Sequence, residues 1–207
     1  MSPDRHKNIQ TCLLKNKSYL CIMRESAVKE RILDVAARLF YQQGYNSTGI
    51  NQVIDEADIA KGSLYNHFPS KSDLLVAYLQ QAHERWFADM EVYLSPIKDP
   101  RKKILGLFDF RLNRQLVSNF SGCQFIKASA EIGRGEPKAM DQIKMFKDRL
   151  NNYILSLVKQ AEHKKFLTDE MLTDTIFLLL EGSSTTGVIQ HSPEATRKAK
   201  KIIEQFL

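Results

Sequence analysis

DIAKGSLYNHFPSK, Asp58 to Lys71, is the stretch on which the fold turns. Read as a helix, it sets Lys61, Ser63, Asn66 and His67 on one side and Ala60, Leu64 and Phe68 on the other. Pro69 then forces the residue before it out of helical geometry. A helix this short is marginal in water by itself. Its apolar stripe has to dock on neighbours, which leaves the polar side turned outward.

Upstream, Val28, Ile32, Val35, Ala36, Leu39 and Phe40 repeat at the spacing of a helix with one buried stripe, and Gly44 stands where its C-terminal stop belongs. After the turn GYNST, Thr48 is expected to cap a second helix that buries Ile50, Val53, Ile54 and Ala57. Downstream, Ser70 and Asp73 form an S-x-x-D capping box that opens a long fourth helix through LLVAYLQQAHERWFADMEVYL. The three short elements make one compact unit, and the long helix leaves it. Beyond SPIKDP the apolar period resumes with Ile104, Leu105, Phe108, Leu112 and Leu116 and breaks near Gly122. Pro137 suits the first turn of a further helix, Thr168 the cap of another, and Ser192 with Pro193 the start of the last. The expected fold is all-α, with an extension over 1–25, a helix-turn-helix unit over 26–72 and a helical bundle over 73–207.

Two short helices joined by a tight turn, the second polar on its outer side, describe a helix-turn-helix whose second helix enters the DNA major groove. The residue types sharpen that expectation. Lys61 and Ser63 lie near the start of the helix, where free N–H groups favour a phosphate or an electronegative base edge. Gly62 removes a side chain where backbone would approach DNA most closely. Tyr65 and His67 carry donors on stiff rings suited to phosphate oxygens, Asn66 suits adenine or water, and Lys71 adds a flanking cation. The plainer alternatives are core packing for Tyr65 and His67 and solvation for Ser63, Asn66 and Lys71.

The segment ILDVAARLFYQQGYNSTGINQVIDEADIAKGSLYNHFPSKSDLL resembles the N-terminal DNA-binding domain of TetR/AcrR-family transcriptional regulators, through A-x-x-L-F, G-Y, T-G-I, K-G-S-L-Y-N-H-F and S-K. The resemblance implies DNA-contact roles for Thr48, Lys61, Gly62, Ser63, Tyr65, Asn66, His67 and Lys71. It also implies a homodimer on a palindromic operator in duplex DNA, read here as a repressor released by a small molecule or by an electrophile or oxidant. Asp58 stands where the family turn usually has glycine, and Ala60 where a serine or threonine usually caps the helix; losing such a cap costs about 1 kcal/mol.

SGCQFIKASAEIG, Ser121 to Gly133, is similar to a G-C stretch in one branch of the family, some of whose members sense electrophiles or oxidants through the cysteine. At a helix start, Cys123 would have its thiolate favoured by the N-terminal field and by Lys127 one turn on; as a buried thiol it would be inert. LLLEGSSTTGVIQ resembles the family's dimerisation helix. Gly182, Ser183, Ser184 and Gly187 are small enough for helices to approach closely, and Ala199, Ile202, Ile203 and Phe206 would complete the interface; packing within one chain is the alternative. For an effector cavity among the central helices, Trp86, Met90, Tyr93, Phe108, Phe125 and Tyr153 are candidates by type, together with Cys123.

Composition sets the outer bounds. The 207 residues are 43% hydrophobic with only nine glycines and six prolines, enough for a large helical core. Of the net +6, the first 24 residues supply +4, so a basic patch on the folded part is not the main sign of a polyanionic partner. Cys12, Cys21 and Cys123 are an odd number at wide spacing, which fits neither a disulfide framework nor a metal site and suits a reducing cytoplasm. No stretch has the continuous apolar length of a signal peptide or a membrane span. Regular periodicity begins just after Met23, which makes Met23 a candidate initiator. The scattered histidines and the lack of a G-x-S-x-G or a phosphate-binding glycine loop predict no enzyme and no cofactor. A helical small-molecule-binding or protein-interaction module that does not read DNA is the competing expectation.

Overall fold

The structure, a computed structural model, describes residues 27–133, 135–163 and 167–207. The extension expected over 1–25, with Cys12, Cys21 and Met23, lies outside the described residues. Nine helices run through the described residues: α1 over 27–42, α2 Ile50–Glu56, α3 Lys61–His67, α4 Lys71–Leu94, α5 Pro100–Val117, α6 Gln124–Ile132, α7 Pro137–Val158, α8 Asp169–Gln190 and α9 Glu194–Glu204.

The helix-turn-helix is anchored where the sequence places its apolar residues. Ile32, Ala36, Leu39 and Phe40 of α1, Val53, Ile54 and Ala57 around α2, and Leu64 and Phe68 around α3 are buried together. Burying each large side chain contributes about 1.5–3 kcal/mol, which holds the seven-residue α3 in place of the cap it lacks. Ala60 does not join that stripe: it is the exposed N-cap of α3, and the neighbouring Ile59 packs on the core instead. Asp58 takes a left-handed φ of +50° in the turn, a conformation that aspartate tolerates better than most residues. Phe68 is extended before Pro69, and Ser70 Oγ accepts from the Asp73 N–H at 3.0 Å to open α4. At the second helix the cap is Gly49, with no side-chain cap; the hydroxyl of Thr48 points back and donates to Gly44 O at 2.6 Å.

The 24-residue α4 runs from the helix-turn-helix unit into the bundle. Its early turns pack on α1, Tyr78 meeting Phe40 edge-on at 5.8 Å, and further along it buries Trp86, Phe87 and Met90 against α5 and α7. Asp99 caps α5 and Thr168 caps α8, while Pro137 occupies the first turn of α7. On α5 the buried face is Ile104, Leu107, Phe108, Arg111 and Gln115; Leu116, expected inside, is half exposed. The last helix stops at Glu204, and Leu207 tucks back into the core. Among the described residues no helix is long and apolar enough to cross a membrane, and no group of His, Cys, Asp and Glu stands ready to hold a metal ion.

Candidate nucleic-acid interface and ligand cavity

The outer side of α3 presents Lys61, Gly62, Tyr65 and Asn66 to solvent, with Ser63 and His67 partly covered at its edges. An added Cβ at Gly62 would meet nothing within 4 Å, so the glycine leaves that surface low. Thr48 differs from its expected role. It is 1% exposed, donates to Gly44 O and accepts from Gln43 Nε2 at 3.2 Å, so its hydroxyl shapes the turn and does not face outward. Lys71 is half-buried with its ammonium 4.2 Å from the centre of the Tyr45 ring. Burial lowers its pKa, and the carboxylates of Glu131 and Glu136 act against that shift.

Those two carboxylates belong to a seam between the helix-turn-helix unit and the corner where α6 gives way to α7. Asn46 donates from its backbone N–H to Glu131 Oε2 at 2.8 Å and from Nδ2 to Glu131 O at 3.0 Å. Tyr45 Oη donates to Glu136 Oε1 at 2.9 Å, while the other oxygen of Glu136 accepts from Ser72 Oγ. Tyr41 Oη donates to Gly122 O at 3.0 Å, and Lys127 Nζ donates to Tyr41 O. Gly44 is required here on two grounds. Its φ is +94°, and a Cβ would lie 2.5 Å from Glu131 Oε1.

Behind that seam, a cavity of about 600 Å³ opens among α1, α4, α5, α6 and α8. Four of the expected residues line it: Trp86, Tyr93, Cys123 and Phe125. Met90 and Phe108 are instead fully packed core, and Tyr153 lies off the cavity on α7, its phenol pushed up by burial and then by Glu91. The apolar wall is completed by Phe110, whose ring meets Trp86 edge-on at 5.3 Å, and by Val92.

The polar half of the wall was not anticipated from the sequence. Arg111, Gln115, Arg114 and Asp89 all line the cavity. Arg111 Nη2 donates to Glu181 Oε1 of α8 at 3.2 Å, and the other oxygen of Glu181 accepts from Lys147. Gln115 donates to Ser184 O at 3.1 Å and accepts from Thr196 Oγ1 at 2.8 Å, clamping α5 to α8 and α9. A signal was available: Arg111 and Gln115 fall on the helical register of Ile104 and Phe108, and a polar residue inside an apolar stripe marks a buried site. Cys123 is the partly exposed N-cap of α6, and no side-chain cap bond holds it. The ammonium of Lys127 sits 4.8 Å over the Tyr41 ring and bonds Tyr41 O, so its nearest engagement is with α1.

The expected interface residues divide. Ser183, Ser184, Gly187, Ala199 and Ile203 are buried within the chain, and Phe206 packs partly on the core. Gly182 and Ile202 face outward. On α8, Gly182 shares its exposed face with Met171, Leu178, Thr185 and Ile189, a continuous stripe at helical spacing.

Residues 32–78 match the family described as bacterial regulatory proteins, tetR family. Over 186 residues the chain is 22% identical to the HTH-type transcriptional repressor KstR2 of Mycolicibacterium smegmatis, covering 86% of each. It is 29% identical over 110 residues to the HTH-type transcriptional repressor NemR of Escherichia coli K12, covering 52% of this chain and 55% of that one. The crystal structure of the reduced form of E. coli NemR superposes with a TM-score of 0.74 at 20% identity, over 86% of this chain and 96% of that one, a likeness of fold alone.

Proposed function

We propose that this chain, which belongs to the tetR family of bacterial regulatory proteins and is a DNA-binding transcriptional regulator, represses from a palindromic operator as a homodimer and lets go when its cavity is filled or Cys123 is modified. The observation that carries the reading is the split character of α3. Leu64 and Phe68 are buried in the core, while Lys61, Gly62, Tyr65 and Asn66 remain outside with Ser63 and His67 flanking them. In the major groove, Lys61 and Tyr65 would meet phosphates and Asn66 a base edge, with Lys71 as a flanking cation.

Pairing the outward stripe of α8 with that of a second copy, with Ile202 of α9 beside it, would cover Leu178 and Ile189, which are 67% and 80% exposed. It would also set two reading helices about one DNA turn apart, roughly 34 Å. The divide between a reading domain over 26–72 and a regulatory domain over 73–207 falls just inside α4, so a shift of α4 moves both. Work on chromosomal DNA calls for a cytoplasmic location.

The mechanism follows from the seam. Tyr41 and Cys123 border the same cavity, and α6 is bonded to the turn that supports α2 and α3. A ligand that binds better to one arrangement of α6 biases the spacing of the reading heads by that difference in affinity. The test is fluorescence anisotropy with duplexes from the chain's own upstream region across a salt series. Binding should weaken steeply as salt rises. Lys61→Ala should flatten the log–log slope by about 0.9 for each phosphate it leaves unneutralised, one per subunit. Salt-independent binding, or an unchanged slope together with unchanged affinity in Tyr65→Ala, would refute the assignment of α3 and favour a carrier or interaction module.

A further inference from the structure

One polar group on the cavity wall has no partner in the protein. The Arg111 side chain is 6% exposed; Nη2 is bonded to Glu181, the guanidinium lies 5.5 Å from the Trp86 ring, and the buried Nε has no hydrogen-bond partner. Among the described residues it is the one buried side-chain polar atom so placed. Such an orphan in a packed interior calls for an explanation, and here the residue that carries it borders open space.

The surrounding charges lean the same way. Arg111 and Lys147 share the single carboxylate of Glu181, and at the mouth Arg114 is matched by Asp89 at 3.0 Å, which leaves one positive charge in excess. The amide of Gln115 is already engaged on both sides. The rest of the wall is apolar, with Trp86, Phe110, Tyr93 and Phe125 foremost.

We propose that the cavity takes an apolar monocarboxylate, its carboxylate accepting from Arg111 Nε–H and its aliphatic or aromatic body lying against Trp86 and Phe110. The proposal rests on the cavity being the effector site. A single negative charge matches both the free donor and the unpaired cation, and hydrogen bonds between ionised groups are the strong ones. A neutral ligand leaves the excess charge standing, and an amine adds to it. A phosphate dianion would reverse the sign of the site.

Trp86 is the chain's only tryptophan, so its emission reports on this cavity directly. Full-length protein is titrated with decanoate and with 4-phenylbutyrate, each beside its methyl ester, and decylamine serves as the cationic control. The expected result is a saturable change in emission with at least one acid, at an affinity about tenfold or more above that of its ester. Arg111→Lys keeps the charge beside Glu181 and removes the Nε donor, so it should reduce the preference for acid over ester by about threefold or more, what remains coming from the retained charge. The wild-type comparison of acid with ester stands alone if that variant does not fold. Equal binding of acid and ester, preference for decylamine, or no saturable change with either acid overturns the proposal. Operator binding by the same preparation separates the two readings. Protein that takes the acids without holding upstream DNA keeps the carboxylate site and loses the regulator assignment, and protein that holds DNA while ignoring the acids does the reverse.

Discussion

Two glycines on α8, five residues apart, should respond in opposite ways to the same added methyl group. At Gly187 a Cβ would lie 2.5 Å from Gln115 Nε2 and 3.1 Å from Ser192 O. The Gln115 amide would have to swing away, breaking its bond to Ser184 O and leaving the Thr196 hydroxyl, 1% exposed, without an acceptor. Stranding a buried hydroxyl costs about 1–3 kcal/mol and the second hydrogen bond about 1 more, against a helix-propensity gain of about 1 for alanine over glycine. Gly187→Ala should therefore destabilise by about 2 kcal/mol, a fall in Tm of roughly 4–8 °C for a chain of this size. At Gly182 the added Cβ meets nothing within 4 Å. Gly182→Ala should leave the protomer fold intact and firm up α8 by about 1 kcal/mol. If the outer stripe of α8 pairs with a second copy, the same methyl would hold two helices apart, at a cost of about 1–3 kcal/mol in dimer affinity. Thermal melts at matched protein concentration and sedimentation equilibrium read the two effects separately, which matters because association itself raises apparent stability. Unchanged stability in Gly187→Ala would refute the Gln115 clamp. A Gly182→Ala protein that melts higher and dimerises as tightly as wild type would refute the α8 interface.

Three further outcomes are expected. His83 packs against Phe87 and Phe146, and its pKa is lowered by burial, with Glu84 acting against that shift and Arg149 adding to it. The unfolded chain then binds more protons, so stability in urea should hold above the ordinary histidine value and fall as pH drops through about 6.5; His83→Gln should abolish its share of that fall, and an identical acid limb in the variant would show that other groups cause it. Cys123→Ser should abolish operator release by N-ethylmaleimide while leaving affinity for DNA near wild type; release that persists removes Cys123 as a sensor. Glu136→Gln keeps the shape of the residue and weakens its hold on Tyr45 and Ser72. It should shift operator affinity or effector response by about 1 kcal/mol, roughly fivefold, with little change in Tm, and anisotropy titrations with and without effector check it.

The reading head was legible because its signals are local. The capping pair Ser70 and Asp73, the stop at Gly44, the proline behind Phe68 and the aspartate in the turn each act through residues a few positions away. Thr48 misled for the same reason. It is a good capping residue one position too early, and its bond to Gly44 O depends on the way the preceding turn closes. The outer face of α8 was half legible. At 100° per residue, Gly182 and Gly187 are about 140° apart around the helix and cannot share a face. Helical geometry alone separates them, but α8 is apolar on both sides, and only packing decides that Leu172, Ile176 and Leu180 go inward while Leu178 and Ile189 stay out. The cavity was the least legible part, since Arg111, Glu181 and Lys147 come from three helices and meet only through long-range contacts.

The seam around α6 sets the scale of regulation. A tenfold loss of operator affinity needs only about 1.4 kcal/mol of difference between two states. One hydrogen bond contributes about 0.5–1.5 kcal/mol net, and a bond to an ionised group about 1.5–3. The bonds of Asn46 to the Glu131 carboxylate and backbone carbonyl and of Tyr45 to Glu136 are of this order; they tie the turn before α2 to the end of α6 and the start of α7, and Ser72 adds a bond from α4 to Glu136. An effector therefore does not have to unfold or rotate a whole domain. Displacing α6 far enough to exchange the Asn46 bond to the Glu131 carboxylate for water would change the balance by about as much as release requires. On the cavity side, the opposite end of the same helix begins at Cys123 and Phe125. A ligand held by Arg111 and lying against Trp86 would border the N-terminal end of the nine-residue α6, whose other end is bonded to the turn that precedes α2.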